Sequence, residues 1–195
     1  MWYCAVMTTT GLEEIAALSR RERARIAAVD GGGSGMAEAA DKSGALRDAV
    51  RALDALAAPY ALIGGVAVGI RSGVPRATLD TDLAVAARIP RGAVADALTH
   101  AGFTLRGEHA HSVNFRHTSG EPLQVVFDAS FDPMIARAEA LRFGDLTIRV
   151  VTTADLITMK ERAAADPARR RSKALRDAAD VAQLRGDVPD PDEGW

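Results

Sequence analysis

Apolar positions along this chain follow two different spacings, and the change between them marks the predicted helices and strands. Between Ser43 and Pro59, Leu46, Val50 and Leu53 recur every three to four residues, which predicts an amphipathic helix. The short apolar run YALI follows as a strand, and GGVAVGIRS can form a helix after it. The segment TLDTDLAV then alternates apolar and polar residues, as expected of a second strand.

The remainder of the chain mixes strands with helices. The pattern predicts a helix after Pro90, strands at 103–106, 112–117 and PLQVVFD, a short helix from Asp132, the strand LTIRVV, and helices over TADLITMKERAAA and residues 168–184. This order predicts an α+β fold, in which helices flank a mixed β-sheet and the C-terminal portion is helical.

The chain divides into three parts by composition. Residues 1–43 are interpreted as a poorly ordered or helical leader with the Gly-rich linker DGGGSG, and Met36 is an alternative start. Residues 44–186 are expected to form a single domain, and residues 187–195 a loose acidic tail. With 195 residues, of which 48% are hydrophobic, the chain can bury one sizeable core.

Charge and cysteine content narrow the classes of partner and compartment. The formal net charge of −2 predicts no global attraction to nucleic acid, so that a polyanion would have to bind a local patch. The single cysteine, Cys4, precludes an intrachain disulfide and fits a cytoplasmic protein. No apolar run is long enough for a membrane span, and we expect no membrane partner.

Two aspartates stand two residues apart in the second predicted strand. Asp80 and Asp82 therefore project side by side from one face of that strand. Two adjacent like charges are costly unless a cation lies between them, and a hard ion such as Mg²⁺ suits carboxylates together with substrate phosphates. Gly64 and Gly65 lie between the preceding strand and helix, where backbone N–H groups can approach an anion. The combination indicates nucleoside triphosphate chemistry.

The segment LIGGVAVGIRSGVPRATLDTDLAV resembles the signature of the DNA polymerase β-type nucleotidyltransferase superfamily. Within it, the segment is most similar to the AbiEii/MenT-type small bacterial nucleotidyltransferases, many of which are toxins of toxin–antitoxin pairs, and the resemblance covers about residues 46–184. It implies that Gly64 and Gly65 contact an NTP. Arg76 is a candidate bidentate donor to the triphosphate, and Thr78 is a candidate for fixing the loop.

The resemblance also implies a third carboxylate on a neighbouring strand. In PLQVVFDASFD, Gln124, Val126 and Asp128 share one strand face. Asp128 is the candidate third metal ligand and the group that helps to deprotonate the acceptor hydroxyl. If the strand aligns two residues earlier, Gln124 occupies the acidic position instead, and the site departs from the family pattern. Asp132 is interpreted as a helix cap.

The C-terminal helices supply the remaining candidates. Lys160 lies on the inward face of its helix, where a lysine must meet an anion or reach solvent, and the resemblance implies contact with the triphosphate. RSKALRDAADVAQL resembles the family's R-x-K-D-x-x-D helix, whose acids are here Asp177 and Asp180; one of them can orient Lys160 or contact the nucleotide. His109 and His111 lack partners for a zinc site and are interpreted as loop histidines.

These observations predict a Mg²⁺-dependent nucleotidyltransferase that moves a nucleoside monophosphate from an NTP onto a hydroxyl. By family analogy, the acceptor is RNA such as a tRNA end, a protein side chain or a small molecule, and the partner is a cognate antitoxin. A non-catalytic NTP-binding or antitoxin-like protein on the same fold remains an alternative, as does an enzyme that modifies an antibiotic.

Overall fold

Residues 9–29 and 40–187 are described by the computed structural model, and a mixed β-sheet lies at its centre. The helices are α1 Thr9–Val29, α2 Lys42–Ala55, α3 Gly64–Ser72, α4 Arg91–His100, α5 Asp132–Arg137, α6 Thr153–Ala165 and α7 Arg171–Leu184. The strands are β1 Tyr60–Ile63, β2 Thr81–Val85, β3 Phe103–Glu108, β4 Ser112–His117, β5 Pro122–Val126, β6 Glu139–Phe143 and β7 Leu146–Val150. The α+β prediction is confirmed.

The sheet order is β3-β4-β5-β2-β1-β7-β6. Strand β2, which carries Asp82, and strand β1, which leads into the glycine pair, therefore lie in the interior of the sheet. β2 pairs antiparallel with β1 and parallel with β5. The register sets Asp82 opposite Ile63 on one side and opposite Gln124 on the other. The end of β1, the start of β2 and the middle of β5 therefore meet at one place in the sheet.

Side chains cap the first turns of two helices around the sheet, and a proline precedes a third. Asp41, rather than Ser43, caps α2, because its carboxylate accepts a hydrogen bond from the backbone N–H of Gly44. Thr152 caps α6 by accepting from the N–H of Asp155. Pro90 stands at the N-terminal cap of α4. These local signals fix the starts of the elements that surround the sheet.

The N-terminal helix α1 packs into the core of the domain. Leu12, Ile15 and Ala16 are buried, and Ile15 lies so close to Gly69 of α3 that a Cβ at that glycine would come within 2.8 Å of it. Of the two interpretations of this region, the helical one applies to residues 9–29, and α1 belongs to the same hydrophobic core as the strands. The linker at 30–39 and the tail beyond residue 187 lie outside the described residues.

The helical C-terminal portion packs against α3. α6 and α7 form a pair, and Gln183 of α7 donates hydrogen bonds to Ser72 Oγ (2.7 Å) and Val74 O (3.1 Å) at the end of α3. Within the described ranges, no helix combines the length and the apolarity that crossing a membrane requires.

Candidate active site

A cleft of about 370 Å³ opens where β1, β2 and β5 meet α6 and α7. The sequence candidates that line it are Gly64, Gly65, Arg76, Thr78, Asp80, Asp82, Lys160 and Asp177. Residues far apart in the sequence are thus brought to one cavity, whose volume is in the range of ordinary small-molecule sites.

The glycine turn lies directly against Asp82. Gly64 has φ +69°, a left-handed conformation that favours glycine, and a Cβ there would lie 1.9 Å from Asp82 Oδ2. A Cβ on Gly65 would lie 2.6 Å from Arg76 Nη1 and 2.7 Å from Thr78 Oγ1. The absence of side chains at both positions is what lets the start of α3 approach the aspartates and the loop before them.

The two aspartates form a charged pair that is only partly offset by protein cations. Burial, together with the charge of Asp80, raises the pKa of Asp82 to about 7, although Lys160, Lys42 and Lys173 act in the opposite direction. Asp80 is exposed, and its backbone precedes β2. Two adjacent carboxylates, one of them disfavoured as an anion by burial and by the charge of its partner, fit a hard divalent ion whose other ligands are phosphate oxygens and water.

Thr78 fixes the loop that leads to Asp80. Its hydroxyl lies 3.3 Å from Asp80 O and 3.4 Å from Asp80 Oδ1, and its N–H donates to Ser19 Oγ at 3.2 Å. Local fixing of the loop is the role that the sequence suggests for this threonine.

Lys160 is the centre of a buried charge cluster. Its ammonium group lies 2.8 Å from Asp177 Oδ1 and 2.8 Å from Asp180 Oδ2, and both carboxylates are buried. Arg76 pairs with Asp180 at 3.1 Å, and Arg169 pairs with Asp177. The two acids of α7 therefore hold three cations in fixed positions at the cleft.

Asp128 is not brought to the paired aspartates. Its carboxylate accepts a hydrogen bond from the N–H of Ser130 at 2.8 Å and lies 3.3 Å from His111 Nδ1, and the Ser130 hydrogen bond lowers the pKa of Asp128. Gln124 lines the cleft instead, opposite Asp82, and donates to Asn114 Oδ1 at 3.1 Å. In the described part of the chain, no three acidic, histidine or cysteine residues form a cluster suited to a metal.

Asp132 and the two histidines have local roles. The prediction that Asp132 caps a helix is wrong: the N-cap of α5 is Phe131, Asp132 is the first residue of the helix, and its carboxylate instead accepts from the N–H of Ala87 at 3.0 Å. His109 and His111 are exposed, next to Asn114 and Asp128 respectively.

Some residues in or next to the cleft belong to no sequence motif that would have singled them out. Arg169, Lys173 and Arg176 line the cavity, and the only sequence signal for them is the excess of basic residues between positions 160 and 176. Lys42 and Glu121 form a buried salt bridge behind Asp80, and burial of Lys42 lowers the pKa of that lysine. Neither residue carries a sequence signal, since charged residues are expected at the surface.

Solved structures of nucleotidyltransferases and of a nucleotidyltransferase-like protein share the fold of this chain. An antigenic nucleotidyltransferase-like protein from Paracoccidioides brasiliensis aligns at TM-score 0.50 and 22% identity, over 78% of this chain and 80% of that one. The lincosamide antibiotic adenylyltransferase LnuA, lincomycin-bound, aligns at TM-score 0.54 and 13% identity, over 75% and 98% of the two chains. The antibiotic-resistance factor ANT(2'')-Ia aligns at TM-score 0.52 and 19% identity, over 73% and 88%. At these identities the likeness shows the fold.

The family follows from the sequence. Residues 45–193 match the model of the family described as nucleotidyl transferase AbiEii toxin, type IV TA system. The chain belongs to this family and is a nucleotidyltransferase. A sequence search of curated proteins found no match. Helix α1 precedes the matched region.

Proposed function

We propose that this protein transfers a nucleoside monophosphate from an NTP onto a hydroxyl of RNA, such as a tRNA end, with Mg²⁺ as cofactor and as the toxin of a toxin–antitoxin pair. The observation that carries the proposal is the single cleft in which Asp80 and Asp82 face the Gly64–Gly65 turn and the basic side of α6 and α7. Paired carboxylates, unblocked backbone N–H groups and cations are the three components that triphosphate chemistry requires.

Asp80 and Asp82 would hold Mg²⁺, which neutralises phosphate charge and orients the α-phosphate for in-line attack. The free N–H groups at the start of α3 would bind phosphate oxygens, because the glycines leave them uncovered. Lys160 would donate to the same triphosphate, and its orientation by Asp177 and Asp180 means that little side-chain entropy is lost on binding.

Gln124 at the third ligand position would change both the charge offered to a metal ion and the group that accepts the proton of the acceptor hydroxyl. A side-chain amide offers a metal only a neutral oxygen and does not take a proton from a hydroxyl. If Gln124 holds the third position, the acceptor proton passes to Asp80, Asp82 or water, and the negative charge available to a second ion is reduced. We therefore propose a site whose anionic ligands are two aspartates.

The experiment incubates purified protein with each labelled NTP, Mg²⁺ and total RNA. We expect labelled RNA from the wild type and a loss of at least about 100-fold in Asp80→Ala and Asp82→Ala, as for removal of a main electrostatic group. Asp96→Ala, an exposed aspartate on α4, is the matched control. Normal turnover in both cleft variants, with circular dichroism unchanged, would refute the proposal.

The neutral Gln124 next to Asp82 is the observation that would favour a non-catalytic NTP-binding protein on the same fold, an alternative that membership in a nucleotidyltransferase family argues against. In that case the protein binds labelled NTP by equilibrium dialysis, yet it releases no pyrophosphate with any acceptor. Because LnuA is an antibiotic adenylyltransferase and ANT(2'')-Ia an antibiotic-resistance factor, the experiment also includes lincomycin as a small-molecule acceptor. The basic wall of the cleft favours a polyanionic acceptor over such a molecule.

A further inference from the structure

Helix α1 contacts the backbone of the loop that carries Asp80. Ser19 Oγ accepts a hydrogen bond from the N–H of Thr78 at 3.2 Å, and Arg23 donates to the carbonyl oxygen of Leu79. Ser19 is 1% exposed and Arg23 is nearly buried. Helix α1, which lies outside the region matched by the family, thus hydrogen-bonds to the backbone of Thr78 and Leu79, the two residues before Asp80.

A buried charge network continues this contact to Asp80 itself. Glu121 forms a salt bridge with Arg23 at 2.6 Å and another with Lys42, and the Lys42 and Glu121 side chains are each 1% exposed. Lys42 Nζ donates to Asp80 O at 3.2 Å and lies 3.4 Å from Thr81 Oγ1. The backbone of Thr78, Leu79 and Asp80 is therefore held by side chains that do not themselves line the cleft.

The energetics of such a network are compatible with a positioning role. Buried ion pairs add little net stability compared with apolar packing, because each charge loses its hydration, and in some proteins they serve instead to fix a geometry. Asp80 lies one residue before β2 begins at Thr81, so it lacks the ladder hydrogen bonds that hold Asp82 in register. Among the side-chain hydrogen bonds of the described residues, Lys42 Nζ and the Thr78 hydroxyl, at 3.3 Å, contact the carbonyl oxygen of Asp80, and Thr78 is itself held by Ser19 of α1.

We propose that Arg23, together with Ser19, Lys42 and Glu121, positions Asp80 for metal binding, so that α1 is part of the catalytic apparatus rather than a leader. Arg23 is a positioning residue that acts through the loop backbone. The inference rests on the proposed function, in which Asp80 holds the divalent ion.

The test uses Mn²⁺ as a spectroscopic substitute for Mg²⁺ in the full-length protein. Arg23→Met removes both the salt bridge to Glu121 and the donor to Leu79 O. Arg23→Lys keeps the charge near Glu121 but loses the planar fork that reaches two partners at once. Arg25→Met is the matched control, since Arg25 lies on the same helix, its side chain is 74% exposed, and within the described residues its ion pair is with Glu22 alone.

Three measurements separate positioning from folding: the thermal midpoint, hydrogen exchange at residues 76–82, and Mn²⁺ affinity by electron paramagnetic resonance. We expect faster loop exchange and about tenfold weaker Mn²⁺ binding in Arg23→Met, as for the loss of a charged hydrogen bond. In Arg23→Lys we expect a thermal midpoint close to that of the wild type, with Mn²⁺ binding still weakened. Arg25→Met should match the wild type in all three.

The outcomes distinguish the two proposals. If wild type and Asp80→Ala bind Mn²⁺ equally, Asp80 is not a metal ligand, and both the proposed function and this inference are overturned. If Asp80→Ala loses Mn²⁺ binding while both Arg23 variants keep wild-type affinity and loop exchange, the proposed function stands and the positioning role of α1 is overturned. If Arg23→Met loses affinity only in proportion to unfolded protein, and Arg23→Lys restores it fully, the network serves stability and the inference is likewise overturned.

Discussion

Gly64 lets the glycine turn approach Asp82 closely, because it carries no side chain. Gly64→Ala would place a methyl group 1.9 Å from Asp82 Oδ2 in addition to straining a backbone at φ +69°. We expect the carboxylate to be displaced and nucleotide transfer to fall at least about 100-fold, the scale of losing a main electrostatic group. The strain alone should cost about 1–2 kcal/mol of unfolding free energy.

Gly73→Ala is the matched control for this prediction. Gly73 has φ +74°, and a Cβ there meets no atom within 4 Å. The same backbone strain therefore arises without a clash at the site. Equal losses of transfer in the two variants, measured with the fraction of folded protein known, would show that the effect of Gly64→Ala is general strain rather than displacement of Asp82.

Variants of Gln124 and Asp128 test which of the two residues occupies the third ligand position of the site. Gln124 lies opposite Asp82 in the sheet, whereas Asp128 binds Ser130 and His111. We expect Gln124→Ala to lower transfer more than Asp128→Ala does, because only the first residue lines the cleft. Mg²⁺ titrations of transfer for both variants measure this. A larger loss in Asp128→Ala would restore Asp128 as the third ligand.

At the scale of elements, the first turn of α6 anchors the helix that carries Lys160. Asp155 accepts hydrogen bonds from Arg137 (2.6 Å) and Thr152 Oγ1 (2.8 Å), and its side chain is 10% exposed. These hydrogen bonds, Arg137 first, lower the pKa of Asp155. We expect Asp155→Ala to reduce the free energy of unfolding by about 1–2 kcal/mol at neutral pH, through loss of charged hydrogen bonds and of favourable helix-dipole charge.

The pH dependence of that loss follows from the lowered pKa. A carboxylate whose folded pKa lies below its unfolded value stabilises the fold above the unfolded pKa, about 3.9, and loses the contribution as pH falls through the folded value. Denaturant titrations from pH 7 to pH 3 should therefore show the wild type and Asp155→Ala converging in acid. Asp96→Ala, which removes an exposed aspartate from α4, is the matched control.

At the scale of the whole molecule, local patterns and long-range contacts differ in how well the sequence predicts them. The β1–α3–β2 unit follows from apolar spacing and the glycine pair, because each signal lies within a few residues. The choice between Gln124 and Asp128 depends on the register of two parallel strands that are distant in sequence, which strand patterns alone do not fix. The contact of α1 with the Asp80 loop depends on Ser19 and Arg23. Serine and arginine are mostly exposed in proteins, so the sequence alone would place both residues at the surface.

The distribution of charge over the molecule leads to a prediction about the acceptor. The chain carries a net charge of −2, yet exposed Arg170 and Arg171 begin α7 close to the basic wall of the cleft. If RNA is the acceptor, replacing both with glutamine should raise the RNA KM while leaving the NTP KM unchanged. Each lost phosphate contact lowers the slope of log affinity against log salt by about 0.7 for a single strand.

The control for this prediction is a pair of arginines on another helix. Arg51 of α2 is exposed and Arg47 is half-buried; they lie 3.5 Å and 3.4 Å from Asp145, and neither lines the cleft. Their replacement by glutamine changes the net charge by the same amount, so a general field effect would appear in both variants. A fall in salt slope confined to the α7 variant locates the acceptor path along α7, whereas equal slopes in all three proteins would exclude a phosphate-backbone contact there.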